Sequence, residues 1–323
     1  MYIKRIFIIA GCENMLKYNL KTGRSSNPYR KRGRRLLPIL GTVLLLTAGL
    51  AFFVSRHKFT VGSEKAPEEL SVDDALKNAP AELKTKYFEA EEALKAQRIK
   101  DARKLCLEIL GKLPEKNAFW YKTAEILSKA NTALVFSNIP SQEKLIYTVK
   151  SGDSLDKIAK KYNTTVELIV KSNKLDPTDD KIVPGQKLCL YCGQWNIIVS
   201  KKNFKLYLYD AGQIFRVYDI GIGEQDKTPE GSFYIKVKQN EPDWYSQGKK
   251  YPYGSKEYIL GTKWMSVEPK GNTDKGLNGY GIHGTWDESC VGRTYGNGCI
   301  RMRNDEVDEL YSIVPRGTEV VIL

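Results

Sequence analysis

The chain has 323 residues, 41% of them apolar and 28% charged, with six cysteines and two histidines. That length exceeds one compact domain, and the balance excludes wholesale disorder and a polytopic membrane protein. The formal net charge is +13, but ten Lys and Arg against the single Glu13 sit in residues 1–35, which leaves only about +4 for the rest. A basic block of that kind points to membrane topology rather than to nucleic acid.

The first predicted element follows that block. Residues 36–54 are uncharged and apolar, and as a helix they span about 28 Å, enough to cross a hydrocarbon core. Arg30, Lys31, Arg32, Arg34 and Arg35 precede the run and only Arg56 and Lys58 follow it closely. The excess of positive charge places residues 1–35 in the cytoplasm and the remainder outside, as a single-pass protein of the cytoplasmic (inner) membrane with a periplasmic body. A cleaved signal is the alternative, although Ala48-Gly49 is a poor cleavage site. Ile9-Ala10-Gly11-Cys12 resembles a lipoprotein box, but its apolar stretch is too short for that route, and Met15 could equally be the start.

Residues 55–79 mix Ser, Glu, Lys, Asp and Pro and read as a solvated tether. Residues 80–140 then carry apolar side chains at helical spacing: Leu83, Tyr87, Phe88, Ala90 and Leu94; Ala102, Leu105, Leu107, Ile109 and Leu110; Phe119, Trp120, Ala124, Ile126 and Leu127. Breaks at 97–100 and 111–115 make three helices, read as an α-helical spacer or a partner-binding platform.

Residues 145–191 are more specific. Residues 147–149 alternate as a short strand, Gly152-Asp153 turns, and Asp153 or Ser154 can cap a helix burying Leu155, Ile158, Ala159 and Tyr162. A second helix from Val166 buries Leu168, Ile169 and Ser172. Pro184-Gly185-Gln186 then turns the chain into a strand, 187–191, able to pair with the first. With Asn173 and Leu175 added, this βααβ pattern resembles a LysM module. The resemblance implies binding of N-acetylglucosamine-containing glycan strands, with Gly152, Asp153, Ser154 and residues 177–182 as the contact surface; a fold kept as a spacer is the alternative. Cys189 and Cys192 lack the second pair or the nearby His of a zinc site, and read as a structural disulfide or two free thiols.

From Trp195 the sequence turns to short alternating runs, at 197–199, 205–209 and 215–220, with Asp210-Ala211-Gly212 as a hairpin turn, which predicts a mainly-β domain over 194–323. A cysteine nucleophile needs a base to generate thiolate, and with His57 beside the apolar run, His283 is the only histidine available to Cys299. Gly298 before Cys299 suits a tight turn whose backbone N–H groups face a developing oxyanion. Arg301 can hold a substrate carboxylate or brace the loop.

The series Lys227-Thr-Pro-Glu-Gly231, Gly261-Thr-Lys-Trp264-Met265, Gly281-Ile-His283-Gly284-Thr285 and Gly298-Cys299-Ile-Arg301 resembles the YkuD-type L,D-transpeptidase catalytic domain, His283 preceding Cys299 by sixteen residues. The resemblance implies that the Gly284 carbonyl orients the imidazole, and that Asn297, Trp264 and Tyr280 join Arg301 in contacting substrate. It further implies attack on the third residue of a tetrapeptide stem, release of D-alanine and transfer to an amine acceptor in a 3-3 cross-link. A carboxypeptidase using water and a non-catalytic wall-binding scaffold are the alternatives. No cofactor or metal is required, and the partners are stem peptides, glycan strands and the membrane, with no nucleic acid. Gly296-Asn297 stands where the family often has Ser-His, and Cys290 where it often has Ser, which raises an inactivating Cys290–Cys299 disulfide as a hypothesis.

Overall fold

The computed structural model describes residues 71–323 apart from 114, 115 and 180. The basic segment, the apolar run 36–54, the Cys12 box and residues 55–70 of the tether lie outside the described residues, among which no helix is long and apolar enough to cross a membrane.

The N-terminal part is helical: α1 (Val72–Leu76), α2 (Ala81–Lys95), α3 (Ile99–Leu110) and α4 (Ala118–Val135). Helix α1 falls inside the stretch read as tether. Ser71 explains it, since its hydroxyl caps the helix by accepting from Asp74 N at 3.1 Å. Asn117 caps α4 in the same way, accepting from Trp120 N at 2.8 Å. The core of this unit includes Leu76, Leu83, Tyr87, Ala90, Cys106, Ile109, Phe119 and Leu127. Phe88, placed by the sequence pattern on the inner stripe, is instead 49% exposed. Adjacent helical residues point about 100° apart, so only one of Tyr87 and Phe88 can face inward.

The next unit is a two-stranded antiparallel ribbon, β1 (Lys144–Thr148) and β2 (Lys187–Tyr191), enclosing α5 (Leu155–Lys161) and α6 (Val166–Asn173). Ser154 and Thr165 cap the two helices. Asn173 locks α6 to β2: its amide donates to Cys189 O at 2.9 Å and its carbonyl accepts from Cys189 N at 2.7 Å.

The C-terminal part is built on an eight-stranded sheet of order β11-β10-β9-β6-β12-β3-β4-β5. Its members are β3 (Trp195–Ser200), β4 (Lys205–Asp210), β5 (Gln213–Asp219), β6 (Gly231–Asn240), β9 (Lys263–Pro269), β10 (Gly281–His283), β11 (Ile300–Arg301) and β12 (Glu319–Ile322). A small hairpin, β7 (Trp244–Ser246) and β8 (Lys249–Tyr251), projects from it, and α7 (Asn304–Ile313) packs against it. Pairing is antiparallel except for β12 with β3 and β10 with β11. Strand alternation places Trp195, Ile197 and Val199 in the core.

The helical unit is not a detached spacer. Helix α4 lies along the edge strand β5, where Asn131 Nδ2 donates to Phe215 O at 2.8 Å and Val217 N donates to Ser128 Oγ at 3.3 Å. Two outward-facing backbone groups of the edge are thereby satisfied, and α4 covers that part of it.

Candidate active site

The two residues expected to act as nucleophile and base lie where β10 and β11 run in parallel. Ile282 pairs with Ile300 and His283 with Arg301, so Cys299, one residue before β11, falls opposite Gly281. Side chains alternate between the faces of a strand. Ile282 and Ile300 therefore enter the core, while Cys299, Arg301 and His283 emerge together on the other face. Two short strands that share one apolar–polar alternation thus bring together residues sixteen apart in sequence.

His283 is buried, and Gly284 O accepts from its Nδ1 at 2.7 Å. This holds the ring proton on Nδ1 and leaves Nε2 as the basic nitrogen of the neutral ring. Burial pulls its pKa down from 6.5 to about 4, against the opposing pull of the Gly284 and Leu260 carbonyls and with a smaller push from Arg301. The Gly284 backbone must approach closely: a Cβ there would lie 2.2 Å from Asn304 Oδ1 at the start of α7. Trp264, the register partner of His283 on β9, stacks on the imidazole with ring centroids 5.6 Å apart. Its indole also fills the space over Gly281. Trp264 thus fixes the plane of the base.

Burial pushes the Cys299 thiol above its ordinary pKa, opposed by a backbone hydrogen bond from Gly281 and by the charge of Arg301. The thiol contacts Gly279 O at 3.8 Å and makes no hydrogen bond to His283 among the described residues. Burial thus disfavours the charged form of both side chains, raising the thiol and lowering the imidazole.

The loop before Cys299 is held tightly. Gly298 has φ +110°, and a Cβ there would lie 2.5 Å from Lys227 O and 2.7 Å from the Tyr280 ring. Gly223 packs on it from another side. Thr228, 1% exposed, joins these segments: its hydroxyl accepts from Gly223 N at 2.8 Å and donates to Gly298 O at 3.0 Å. Thr228 lies in the Lys227-Thr-Pro-Glu-Gly231 motif, whose local pattern assigns it no role.

Arg301 is 7% exposed and serves as a brace: its guanidinium donates to Tyr295 O, lies over the Tyr295 ring and packs against Gly296. Of its two expected roles, this is the one its contacts occupy. Tyr280 supports Gly298, and Asn297 is exposed at the tip of the loop. Cys106, Cys189, Cys290 and Cys299 are free thiols. Cys290 is buried, donates to Thr285 Oγ1 at 3.7 Å and is not bridged to Cys299. Cys189 and Cys192 are not bridged to each other either.

In the βααβ unit, the three residues expected to contact glycan are largely engaged in holding their own loop. Asp153 accepts from Tyr147 OH at 2.6 Å and from Lys150 N at 2.8 Å; Ser154 Oγ accepts from Lys157 N at 3.2 Å; Gly152 O accepts from Lys157 Nζ at 2.7 Å. What this loop offers a ligand is its exposed backbone rather than those two side chains.

A model of the L,D-transpeptidase catalytic domain (YkuD) matches residues 194–322, and a LysM domain model matches residues 147–190. Two relatives, YqjB of Bacillus subtilis and YkuD of Bacillus licheniformis, both carry the name "Putative L,D-transpeptidase". The first is 41% identical over 39% of this chain and 69% of its own length. The second is 32% identical over 55% of this chain and 98% of its own length. A solved L,D-transpeptidase from Mycobacterium tuberculosis H37Rv covers 44% of this chain and 63% of its own, at 15% identity and a TM-score of 0.33, too slight a likeness to argue from. The chain belongs to the YkuD-type L,D-transpeptidase family, with a LysM domain preceding the catalytic domain.

Proposed function

We propose that this chain is a peptidoglycan L,D-transpeptidase with Cys299 as nucleophile. The thiol attacks the carbonyl of the third residue of a tetrapeptide stem as His283 removes its proton. His283 returns that proton to the departing amine of D-alanine, and a thioester remains on Cys299. The side-chain amine of a second stem then attacks the thioester, giving a 3-3 cross-link and regenerating the thiol. Charge developing on the carbonyl oxygen is met by backbone N–H groups of the loop that Gly298 and Thr228 hold in place.

The observation that carries this reading is the parallel pairing that puts Cys299, His283 and Arg301 on one face, with the imidazole oriented by Gly284 O. Family membership supports the reaction class. The LysM module would bind the glycan strand, and the apolar run 36–54 would hold the enzyme at the outer face of the cytoplasmic membrane.

Incubation of the full-length protein with disaccharide-free tetrapeptide stems, followed by mass analysis of products, tests the reading. A peptide dimer with loss of D-alanine supports transpeptidation. Tripeptide without dimer assigns water as the acceptor and makes the enzyme a carboxypeptidase. No turnover by wild type, with Cys299→Ala indistinguishable from it, leaves the wall-binding scaffold.

A further inference from the structure

The LysM domain and the catalytic domain share a buried boundary that a mere tether would not need. Leu168 and Ile169 are neighbours on α6 and both are buried, yet they belong to different cores. Ile169 packs with Tyr147, Leu155, Ile158 and Leu188 inside the LysM unit. Leu168 packs with Leu310, Tyr311 and Val314 in the core of the catalytic sheet. Around Leu168, Thr165 Oγ1 donates to Ser312 O and Lys171 Nζ donates to Ser312 Oγ at 2.8 Å.

The linker is equally constrained. Three residues, 192–194, separate β2 from β3, and a Cβ on Gly193 would lie 2.3 Å from the Trp195 indole. Tyr191 stacks on Trp195 with centroids 5.6 Å apart and donates to the buried Asp210 carboxylate at 2.8 Å. From the other side, Arg103 on α3 pairs with Glu143 at 2.7 Å, and Lys144 at the start of β1 caps the end of α4 through Leu134 O and Ser137 O. Meanwhile the two loops of the LysM unit, at 150–152 and at 176–179 with 181–183, stay largely exposed.

We propose that the LysM module acts as a fixed ruler: it holds a glycan strand at one offset from Cys299, so that stems on that strand reach the nucleophile in a set position. This rests on the transpeptidase reading above and adds to it, because a flexibly tethered module would only raise local concentration. A rigid one also pre-orients the substrate, which is a separate source of rate. Thr165, Leu168, Lys171 and Ser312 are then positioning residues that touch no substrate. Their effect appears only with polymeric substrate.

The test compares two substrates in the full-length protein: a soluble tetrapeptide, and uncross-linked glycan polymer bearing the same tetrapeptide stems. The variant combines Leu168→Asp with ten Gly/Ser residues inserted between Gly193 and Gln194. The expected result is a fall of about tenfold in kcat/KM on the polymer, with tetrapeptide turnover and pelleting on insoluble peptidoglycan unchanged. Unchanged polymer turnover, alongside faster amide exchange in α6 and α7 that reports lost docking, would overturn the proposal. If the variant also loses tetrapeptide turnover, the catalytic sheet has been damaged, and the milder Lys171→Ala/Ser312→Ala pair decides by the same split between substrates. A wild-type chain inactive on both substrates refutes the transpeptidase reading itself, and this inference with it.

Discussion

Replacing Thr228 by Val tests how the nucleophile loop is held. The two side chains are nearly isosteric, so the change removes a hydroxyl and little else. That hydroxyl bridges Gly223 N at 2.8 Å and Gly298 O at 3.0 Å at a position 1% exposed. Its loss leaves one buried donor and one buried acceptor without this partner, at about 1–3 kcal/mol each and with incomplete additivity, so about 2–4 kcal/mol in all. In a body of this size that lowers Tm by about 5–10 °C. Gly298 O belongs to the residue before the nucleophile, so Cys299 should also lose its fixed position, slowing acylation by about 10- to 100-fold. Calorimetry and stopped-flow acylation by a carbapenem read the two effects, and Thr228→Ser should restore most of both. A Thr228→Val protein with wild-type Tm and wild-type acylation would refute the reasoning.

Three further outcomes follow from the same geometry. Gly298→Ala forces an L side chain to φ +110° and a Cβ to within 2.5 Å of Lys227 O, so acylation should fall at least about 100-fold; a rate within threefold of wild type contradicts this. His283 is buried neutral, its pKa down from 6.5 to about 4. The unfolded chain takes up a proton below pH 6.5 that the folded chain refuses, so stability drains away as pH falls from 6.5 to 4, by up to about 3 kcal/mol from this group. His283→Asn should flatten that slope in urea titrations. Burial raises the Glu306 carboxyl from 4.5 to about 7, with Asp219 adding to the rise and Arg303 at 3.3 Å opposing it. The unfolded chain then releases its proton at lower pH than the folded one, so this group costs stability as pH rises from 4.5 to 7. Glu306→Gln should gain stability relative to wild type at pH 8 and show no such gain at pH 4.5.

The parts of the fold that repeat locally were legible in the sequence. Strand alternation at 197–199 and the helix cap at Ser154 are written in residue type and spacing alone. The pairing of His283 with Cys299 was legible for another reason: with so few histidines, chemistry left one partner. What failed to show were contacts between distant segments. Thr228 acts on Gly298, 70 residues away, and no local pattern distinguishes it from a turn threonine. Leu168 and Ile169 read as one apolar face, although they serve two cores. The short helix after Ser71 did carry a signal, Ser followed three residues later by an acidic side chain, a pattern close to a capping box.

The proposed activity depends on Cys299 as a nucleophile served by His283. Intact-mass measurement of the full-length protein after exposure to a carbapenem decides this, beside Cys299→Ala and His283→Ala. A single adduct is expected on wild type, none on Cys299→Ala, and an adduct that forms far more slowly on His283→Ala because burial disfavours the thiolate. An adduct that persists in Cys299→Ala, or a reduced and folded wild type that acquires none, would contradict it.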